Sequence, residues 1–293
     1  MAKQTFETIE KKRKLFAQRV LTMVLVFVGV FALTYVIGLA ATRHNARALV
    51  EPSDVTATDN KQSEKKEDAE KENPSGEETP SQPAESNGHT IYLTFDDGPG
   101  PYTERLLDIL KAHDAKATFF VTHVFSQYEN LLKREAKEGH SVAVHSYSHD
   151  YNKIYASDEA YWADFDAMQE VIEKQTGEKT TLFRFPGGSS NTVSNAVPGM
   201  MTLLVKEANA KGLHYFDWNV ASGDAGATTS SATVLQNCKV GAANHKNAVI
   251  LCHDVKEYTV NAMEEFITWG LQNGYTFAAL TPESDGAHHQ VKN

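Results

Sequence analysis

Residues 90–99, TIYLTFDDGP, combine the pattern of a β-strand with a chemically unusual ending. The first six residues are apolar, aromatic or β-branched, which is typical of a buried strand, and Gly98-Pro99 indicates a turn. Between them stand two adjacent carboxylates, Asp96 and Asp97, whose mutual repulsion must be offset by a cation or a proton in an enclosed site. An ordinary Asp-Gly surface turn is the alternative interpretation of this motif taken alone.

Beyond residue 89, short apolar runs alternate with segments of helical period. The predicted strands are Thr90–Phe95, Ala117–Val121, Ser141–His145, Leu182–Phe185, His214–Val220, Ala248–Cys252 and Thr276–Leu280. The predicted helices lie near Tyr102–His113, Gln127–Gly139, Asp158–Thr176, Met200–Lys211, Ser231–Asn244 and Tyr258–Asn273. This alternation predicts an α/β fold, a distorted parallel (β/α) barrel of about seven strand–helix units, rather than an open sheet. Neither GxGxxG nor GxxxxGKS/T follows a strand, so the sequence offers no nucleotide site.

The 293-residue chain is acidic, with a net charge of −10 that is unevenly divided. Residues 1–50 carry eight Lys and Arg against two Glu, whereas residues 51–88 carry four Lys against eleven Asp and Glu. Residues 89–293 carry sixteen basic against twenty-five acidic side chains. This balance excludes a protein that binds nucleic acid through bulk positive charge.

The N-terminal region contains a long apolar segment. From Val20 to Thr42 no side chain is charged, and a helix of that length spans the roughly 30 Å hydrocarbon layer of a bilayer at about 1.5 Å per residue. Basic residues concentrate just before it, in residues 11–19, so we expect the N-terminus in the cytoplasm and the C-terminal region outside the cell membrane. A cleaved signal peptide is the alternative, but its apolar stretch usually has about 7–15 residues. The small-residue site Ala46-Arg47-Ala48 leaves cleavage open.

The sequence thus predicts four consecutive regions in a single-pass membrane protein. They are a cytoplasmic basic segment (1–19), a transmembrane anchor (20–42), a disordered charged linker (43–88) and a folded domain (89–293). Residues 51–88 contain four prolines and no aromatic residue. Such a segment cannot bury enough apolar surface to fold alone, and it would hold the domain away from the bilayer.

A second polar motif, HSYSH, follows another predicted strand. His145 and His149 are four residues apart, so in a helical turn both imidazoles point the same way and can reach one metal ion. A pair of surface histidines is the alternative. Together with one carboxylate of Asp96-Asp97, they form the ligand set of a catalytic rather than a structural zinc, with open positions for water.

Three further motifs place polar residues at or just after predicted strand ends. They contain Arg184 (RFPGG), Trp218 and Asp224 (DWNVASGD), and His253 (LCHD). Taken singly, Arg184 could be an ion-pair partner and His253 a core histidine. Because the carboxyl ends of barrel strands gather on one face, we expect these groups to meet there. A cation, a histidine and a carboxylate that orients the histidine are the groups that metal-assisted hydrolysis needs.

In this order the five motifs resemble those of the polysaccharide deacetylases of carbohydrate esterase family 4, which share the NodB homology domain. The resemblance covers about residues 89–282 and implies that residues 89–293 form a catalytic domain of this kind. It also implies that Asp97, His145 and His149 bind a divalent metal, usually zinc.

The same resemblance implies roles for the acid–base residues. The first aspartate of TFDDGP, Asp96, would be the general base, and Arg184 would hold it in its ionised form through an ion pair. His253 would be the general acid, oriented by a carboxylate that we place at Asp224. Asp217 competes with Asp224 for that orienting role.

The substrate-contacting positions depart from the commonest family pattern in two places. Many members have Arg-Pro-Pro-Tyr-Gly where this chain has RFPGG, so a tyrosine side chain is absent, although the Gly187 N–H could still serve an oxyanion. Many members have Asp-Trp where this chain has Asp224-Ala225. Leu251 resembles the leucine that lines the pocket of the acetyl methyl group, and Trp218 is the remaining aromatic residue of the fourth motif. The substrate preference is therefore less defined than the chemistry.

The resemblance implies a hydrolase that converts the N-acetyl groups of a glycan into free amines and acetate. For an anchored domain that faces outward, peptidoglycan is the expected substrate, with N-acetylglucosamine favoured, and the membrane and the cell-wall glycan are the expected partners. We expect a monomeric catalytic domain that binds no nucleic acid. The alternatives are a deacetylase of exopolysaccharide or chitooligosaccharide, an O-acetyl esterase, or a metal-stabilised glycan-binding domain without turnover. The last of these does not explain an acid–base pair around the metal.

Two pairs of residues receive no role. His288 and His289 are expected to form an exposed pair near the C-terminus, with closure over the cleft as the alternative. Cys238 and Cys252 are too few for a disulfide framework and lack CxxC spacing, and whether they pair with each other is left open.

Overall fold

Eight β-strands and seven α-helices make up the part of the chain that the computed structural model describes, residues 86–293. The strands are β1 Thr90–Asp96, β2 Ala117–Thr122, β3 Ser141–Ser146, β4 Leu182–Phe183, β5 His214–Tyr215, β6 Val220–Ala221, β7 Asn247–His253 and β8 Thr276–Phe277. The helices are α1 Thr103–Ala112, α2 Leu131–Lys137, α3 Tyr151–Ile154, α4 Asp158–Thr176, α5 Met200–Ala210, α6 Ser231–Ala243 and α7 Glu257–Gln272. Two 3-10 turns, Ser126–Tyr128 and Val193–Ala196, lie in the connections.

All strand pairs are parallel, and the sheet runs in the order β5-β4-β3-β2-β1-β7-β6. β1 pairs along its whole length with β7, whereas β8 pairs only with Thr90 and Ile91 and β2 only with the later residues of β1. Among the described residues, the outer strands β5 and β6 are not paired with each other. The predicted parallel (β/α) fold is thus confirmed, as a half-barrel that is open between β5 and β6.

The sheet is buried on both faces, as expected for parallel strands covered by helices. Ile91, Leu93 and Phe95 of β1 share a large apolar core with the leucines of α1. A smaller cluster fills the opposite face and comprises Phe120, Ala143, Leu182, Phe216, Val249 and Leu280. Successive residues of a strand point to opposite faces, so apolar side chains of the strands fill both faces of the sheet. The polar residues of the motifs stand at the strand ends instead.

Helix α4 has the bounds that the sequence predicts, because both ends carry strong signals. Ser157 caps the N-terminus by accepting a hydrogen bond from the Ala160 N–H at 3.1 Å. Gly177 ends the helix in the left-handed conformation, with φ of 95°. Its apolar stripe of Tyr161, Phe165 and Met168 is buried.

The predicted strand His214–Val220 is wrong, because the chain forms two short strands separated by a break at residues 216–219. In that break the carbonyl groups of Phe216 and Asp217 accept hydrogen bonds from Arg184 Nε and Nη2, both at 2.9 Å. Among the described residues, these two carbonyl groups accept no hydrogen bond from the backbone of a neighbouring strand. A long-range contact therefore interrupts a segment whose local pattern is that of one strand.

The last predicted strand, Thr276–Leu280, ends early, at Phe277. The Leu280 N–H donates to Thr118 Oγ1 at 2.8 Å, and the Leu280 carbonyl accepts from Ser141 Oγ at 2.7 Å. Side chains of β2 and β3 thus satisfy this backbone instead of a neighbouring strand. The chain passes beside these two strands and does not extend the sheet.

The C-terminal segment, residues 281–293, packs against the loop between β5 and β6. The Asp217 N–H donates to the Ala287 carbonyl, and the His289 N–H donates to Asp217 Oδ2, both at 2.8 Å. The His289 imidazole lies 2.7 Å from the Trp218 carbonyl and 3.0 Å from Ser190 Oγ. The expected exposed pair is therefore wrong for His289, which is half-buried, whereas its neighbour is exposed.

Two other expectations concern the cysteines and the N-terminal region. Cys238 and Cys252 are both buried and are free thiols. The segment 1–19, the anchor 20–42 and nearly all of the linker 43–88 lie outside residues 86–293. Across residues 86–293, no helix combines the length and apolar character that crossing a bilayer requires.

The contacts of His289 predict that the C-terminal segment stabilises the domain. His289→Ala leaves the polar groups of Trp218 and Ser190 without their partner, so we expect the free energy of unfolding to fall by about 1–2 kcal/mol. Urea denaturation of the purified protein measures this, with Gln290→Ala, at an exposed neighbouring position, as the control. Equal unfolding midpoints for His289→Ala and the wild type would show that the contacts of His289 do not stabilise the domain.

Candidate active site

Three side chains from the ends of β1 and β3 converge on one point. Ligand atoms of Asp97, His145 and His149 all lie within 4.8 Å of one another, and Asp97 Oδ1 is 3.7 and 3.3 Å from the two histidine Nε2 atoms. Asp97 Oδ1 is buried and has no hydrogen-bond partner within the described part of the chain. A buried carboxylate oxygen without a donor is unfavourable unless a cation compensates it. Two imidazoles and one carboxylate therefore fit a divalent cation.

The backbone at two of these residues adopts a conformation that side chains rarely tolerate. Asp97 and His149 have φ values of 75° and 51°, in the left-handed region. Such positions cost roughly 1–3 kcal/mol each and persist only where the surroundings hold them. Around Asp97 the holding group is Thr122, whose hydroxyl donates to the Asp97 carbonyl at 2.8 Å and whose N–H donates to the Gly98 carbonyl at 2.7 Å.

His145 is held in the tautomer that a metal ligand requires. Its Nδ1–H donates to the Arg184 carbonyl at 2.8 Å, which leaves Nε2 as the free lone pair on the side of Asp97. Burial lowers the pKa of His145, against the opposing charges of Asp96 and Asp97. The imidazole is thus kept neutral, the form that binds metals.

Asp164 of α4 supports the loop that carries both histidines, and the sequence analysis missed it. Its carboxylate accepts hydrogen bonds from Ser146 Oγ at 2.5 Å, the Tyr147 N–H at 2.8 Å and the Ser148 N–H at 2.9 Å. Ser146 Oγ in turn accepts from the His149 N–H at 2.8 Å. A signal existed in the sequence, because Asp164 interrupts the apolar stripe of its helix on the face that is buried.

Asp96 and Arg184 form an ion pair inside the barrel. Arg184 is fully buried, and its Nη1 donates to Asp96 Oδ1 at 2.7 Å and to Thr94 Oγ1 at 2.8 Å. The guanidinium carbon lies 4.1 Å from the centre of the Phe120 ring. The second carboxylate oxygen of Asp96 lies on the side of the ligand triad, 3.8 Å from His145 Nε2.

His253, the last residue of β7, also lies next to the ligand triad. Its Nδ1 bonds to Asp224 Oδ1 at 2.8 Å, and its Nε2 is 3.9 Å from Asp97 Oδ2. Thr259 Oγ1 also donates to Asp224, at 2.7 Å. Burial disfavours the charged imidazole, but the hydrogen bond and charge of Asp224, with the charges of Asp96 and Asp97, outweigh it and raise the pKa of His253 to about 9.

The two candidate orienting carboxylates have different partners. Asp224 contacts His253, whereas Asp217 accepts from the Ser189 N–H at 2.8 Å, the Ser189 hydroxyl at 2.5 Å and the His289 N–H. The Asp217 carboxylate therefore links the turn after Arg184, through Ser189, to the C-terminal segment, through His289. The structure places only Asp224 against the imidazole of His253.

The remaining predicted residues surround the site with different degrees of exposure. Gly187 has φ of 76°, and within the described residues its N–H donates to no protein group. Trp218 is half-buried beside Gly188, where an added Cβ would lie 3.0 Å from the indole. Leu251 is buried on β7, opposite Thr94 of β1. The unpaired N–H of Gly187 and the apolar side chains of Trp218 and Leu251 are thus available to contact a substrate.

The support from Asp164 predicts an effect on metal affinity. Asp164→Ala frees the histidine loop, and loss of such a supporting contact typically weakens metal binding about 10–100-fold. Zinc titration by calorimetry measures the change, with Asp166→Ala, at an exposed position of the same helix, as the matched control. An unchanged zinc affinity in Asp164→Ala would remove Asp164 from the site.

The pairing of His253 with Asp224 predicts a measurable titration. In chelator-treated protein the His253 imidazole should stay charged up to a pH of about 9 and lose its proton above it. In Asp224→Asn the titration should move towards the ordinary value near 6.5 or below it, because burial remains while the carboxylate is lost. NMR of the histidine side chains measures both. Asp217→Asn, which removes the other candidate carboxylate, should leave the titration near 9, and an equal shift in that variant would contradict the assignment.

Comparison with known proteins identifies the family to which these residues belong. The sequence profile of the polysaccharide deacetylase family matches residues 84–201. The chain is 35% identical over 222 residues to a peptidoglycan-N-acetylglucosamine deacetylase of Bacillus cereus, covering 73% of this chain and 78% of that protein. It is 30% identical over 194 residues to a peptidoglycan-N-acetylmuramic acid deacetylase of Bacillus subtilis, covering 65% of this chain and 70% of that protein.

A solved structure agrees with this comparison. The catalytic domain of peptidoglycan N-acetylglucosamine deacetylase from Eubacterium rectale superposes with a TM-score of 0.69 at 50% sequence identity, covering 73% of this chain and all of that one. The family is metal-dependent in general, and the triad of Asp97, His145 and His149 supplies a fitting ligand set. The chain therefore belongs to the polysaccharide deacetylases of carbohydrate esterase family 4, hydrolases that act on the amide bonds of glycans.

Proposed function

We propose that this protein is a zinc-dependent deacetylase of cell-wall peptidoglycan that removes the acetyl group of N-acetylglucosamine. The observation that carries the proposal is that Asp96 and His253 lie 3.8 and 3.9 Å from members of the ligand triad, each with its own supporting partner. The preference for N-acetylglucosamine is supported by the relatives of that name, which are 35% and 50% identical to this chain, against 30% for the N-acetylmuramic acid enzyme. The latter sugar is the second candidate.

Asp97, His145 and His149 would hold the cation, and two imidazoles with one carboxylate suit zinc among the divalent metals. A bound divalent cation lowers the pKa of water and polarises a carbonyl group. The residues of this chain must then supply the proton transfers, the orientation of the substrate and the exclusion of bulk water.

Asp96 is the proposed general base. Arg184 occupies its Oδ1, so Oδ2 is the oxygen that accepts a proton from the water that attacks the acetyl carbonyl carbon. Negative charge then develops on the carbonyl oxygen. The free N–H of Gly187 is the proposed backbone donor to that oxygen, and loss of one such donor typically costs about 100-fold or more in rate.

His253 is the proposed general acid. Because Nδ1 is bonded to Asp224, the proton available to the substrate is on Nε2, on the side of the triad. It passes to the amide nitrogen as the carbon–nitrogen bond breaks, which gives acetate and a free amino sugar. Leu251 is proposed to line the pocket of the acetyl methyl group and Trp218 to contact the sugar.

The location of the domain is part of the proposal. The uncharged segment 20–42 and the basic residues before it support a single-pass anchor with the catalytic domain outside the membrane. The charged linker would let the domain reach the glycan at a distance from the bilayer. Free amines would make the wall more cationic and would hinder muramidases that recognise the acetyl group.

Acetate release by the purified full chain tests the function. We expect release from purified peptidoglycan that exceeds release from an N-acetylglucosamine oligomer, stops with a chelator and returns with zinc. Mass spectrometry of the digested glycan identifies which sugar has lost its acetyl group. Asp97→Asn should be inactive, whereas Asp285→Asn, at an exposed position, should match the wild type.

The same measurements can also contradict the proposed function. A folded, zinc-loaded protein that releases no acetate from either substrate would overturn the proposal in favour of a glycan-binding module. Loss of acetyl groups from N-acetylmuramic acid alone would establish the second candidate. In cells, deleting residues 20–42 should abolish wall deacetylation and muramidase resistance, and retained modification would contradict the proposed anchor.

A further inference from the structure

Tyr151 stands beside the histidine loop and belongs to none of the sequence motifs. It opens the short helix α3, two residues after His149, and its ring meets the His149 ring edge-on, with centroids 5.2 Å apart. The side chain is half-buried. Tyr151 therefore forms part of the wall next to the ligand triad.

The hydroxyl of Tyr151 lies next to the turn at Gly187. A Cβ added at Gly187 would be 3.4 Å from both the hydroxyl oxygen and Cε1 of Tyr151. The same Cβ would lie 3.1 Å from Asn191 Cβ, so a side chain at Gly187 would project between Asn191 and Tyr151. Glycine suits this turn because φ is 76°, and the Tyr151 phenol lies within ordinary van der Waals distance of the turn.

This hydroxyl has no partner within the described part of the chain, although a nearby tyrosine does. Tyr155, one turn further on, donates its hydroxyl to the Pro186 carbonyl at 2.8 Å and is buried. A phenolic hydroxyl is a hydrogen-bond donor at neutral pH. Two unpaired donors, the Tyr151 O–H and the Gly187 N–H, therefore stand side by side next to the triad.

We propose that the Tyr151 hydroxyl donates a hydrogen bond to the acetyl carbonyl oxygen as negative charge develops on it, together with the Gly187 N–H. This inference rests on the proposed deacetylase function. Two donors directed at one oxygen stabilise the transition state more than the neutral amide of the bound substrate. The phenol would thus act on turnover and not on substrate capture.

Tyr151→Phe tests this role, because it keeps the ring packing against His149 and removes only the donor. We expect kcat to fall about 10-fold or more with KM nearly unchanged, as for a contact made only in the transition state. Tyr275→Phe, which removes a half-buried hydroxyl just before β8, at the opposite end of the strands from the site, is the matched control and should match the wild type. Zinc affinity and the unfolding midpoint should be unchanged in both variants.

Binding of a tetrahedral analogue gives a second readout without turnover. A methylphosphonamidate of glucosamine should bind Tyr151→Phe more weakly than the wild type by about the factor lost in kcat/KM, whereas glucosamine should bind both equally. A higher KM with unchanged kcat, or equal analogue affinity, would overturn the proposal. If the wild type itself releases no acetate, the deacetylase function has failed, whereas wild-type turnover that Tyr151→Phe retains in full refutes the Tyr151 role alone.

Discussion

The buried guanidinium of Arg184 is the contact on which both the barrel and the site depend. The guanidinium donates hydrogen bonds to Thr94 and Asp96 of β1 and to the carbonyl groups of residues 216 and 217. The backbone carbonyl of Arg184 accepts a hydrogen bond from His145. Taking two ions out of water costs several kcal/mol per ion, and only a full set of partners offsets that cost. Breaking such a pair from one side typically costs about 3–5 kcal/mol. One side chain therefore ties the general-base candidate, a metal-ligand candidate and the interrupted edge of the sheet into one arrangement.

The atoms that face the proposed metal are positioned by groups that do not face it. Asp97 and His149 adopt left-handed conformations that their side chains disfavour, and Thr122 and Asp164 hold the two turns. The strain is local, but the support comes from β2 and from the middle of α4. The rigidity of the site thus comes from the packed elements beneath it, which is why the strand ends are suited to carry chemistry.

The sequence predicts the repeating strand–helix pattern and the positions of the polar motifs, because both follow from local periodicity and from the rule that barrel strands end on one face. It does not predict the break after Tyr215, since that break follows from hydrogen bonds to Arg184, which is distant in sequence. It leaves Asp217 and Asp224 as alternatives, because both stand near Trp218 in one motif and only the folded chain shows which one meets His253. Asp164 and Tyr151 lie outside any motif and owe their positions to the tertiary fold.

The pairing of β1 with β7 has a consequence for how the domain is made. The Thr94 hydroxyl of β1 donates to the Ile250 carbonyl of β7, 156 residues further along the chain. The pairing of β1 therefore cannot be completed until β7 has been synthesised. Until the C-terminal strands have emerged from the ribosome, one edge of β1 stays open, and an open edge is a template for aggregation. Contacts so distant in sequence also slow folding.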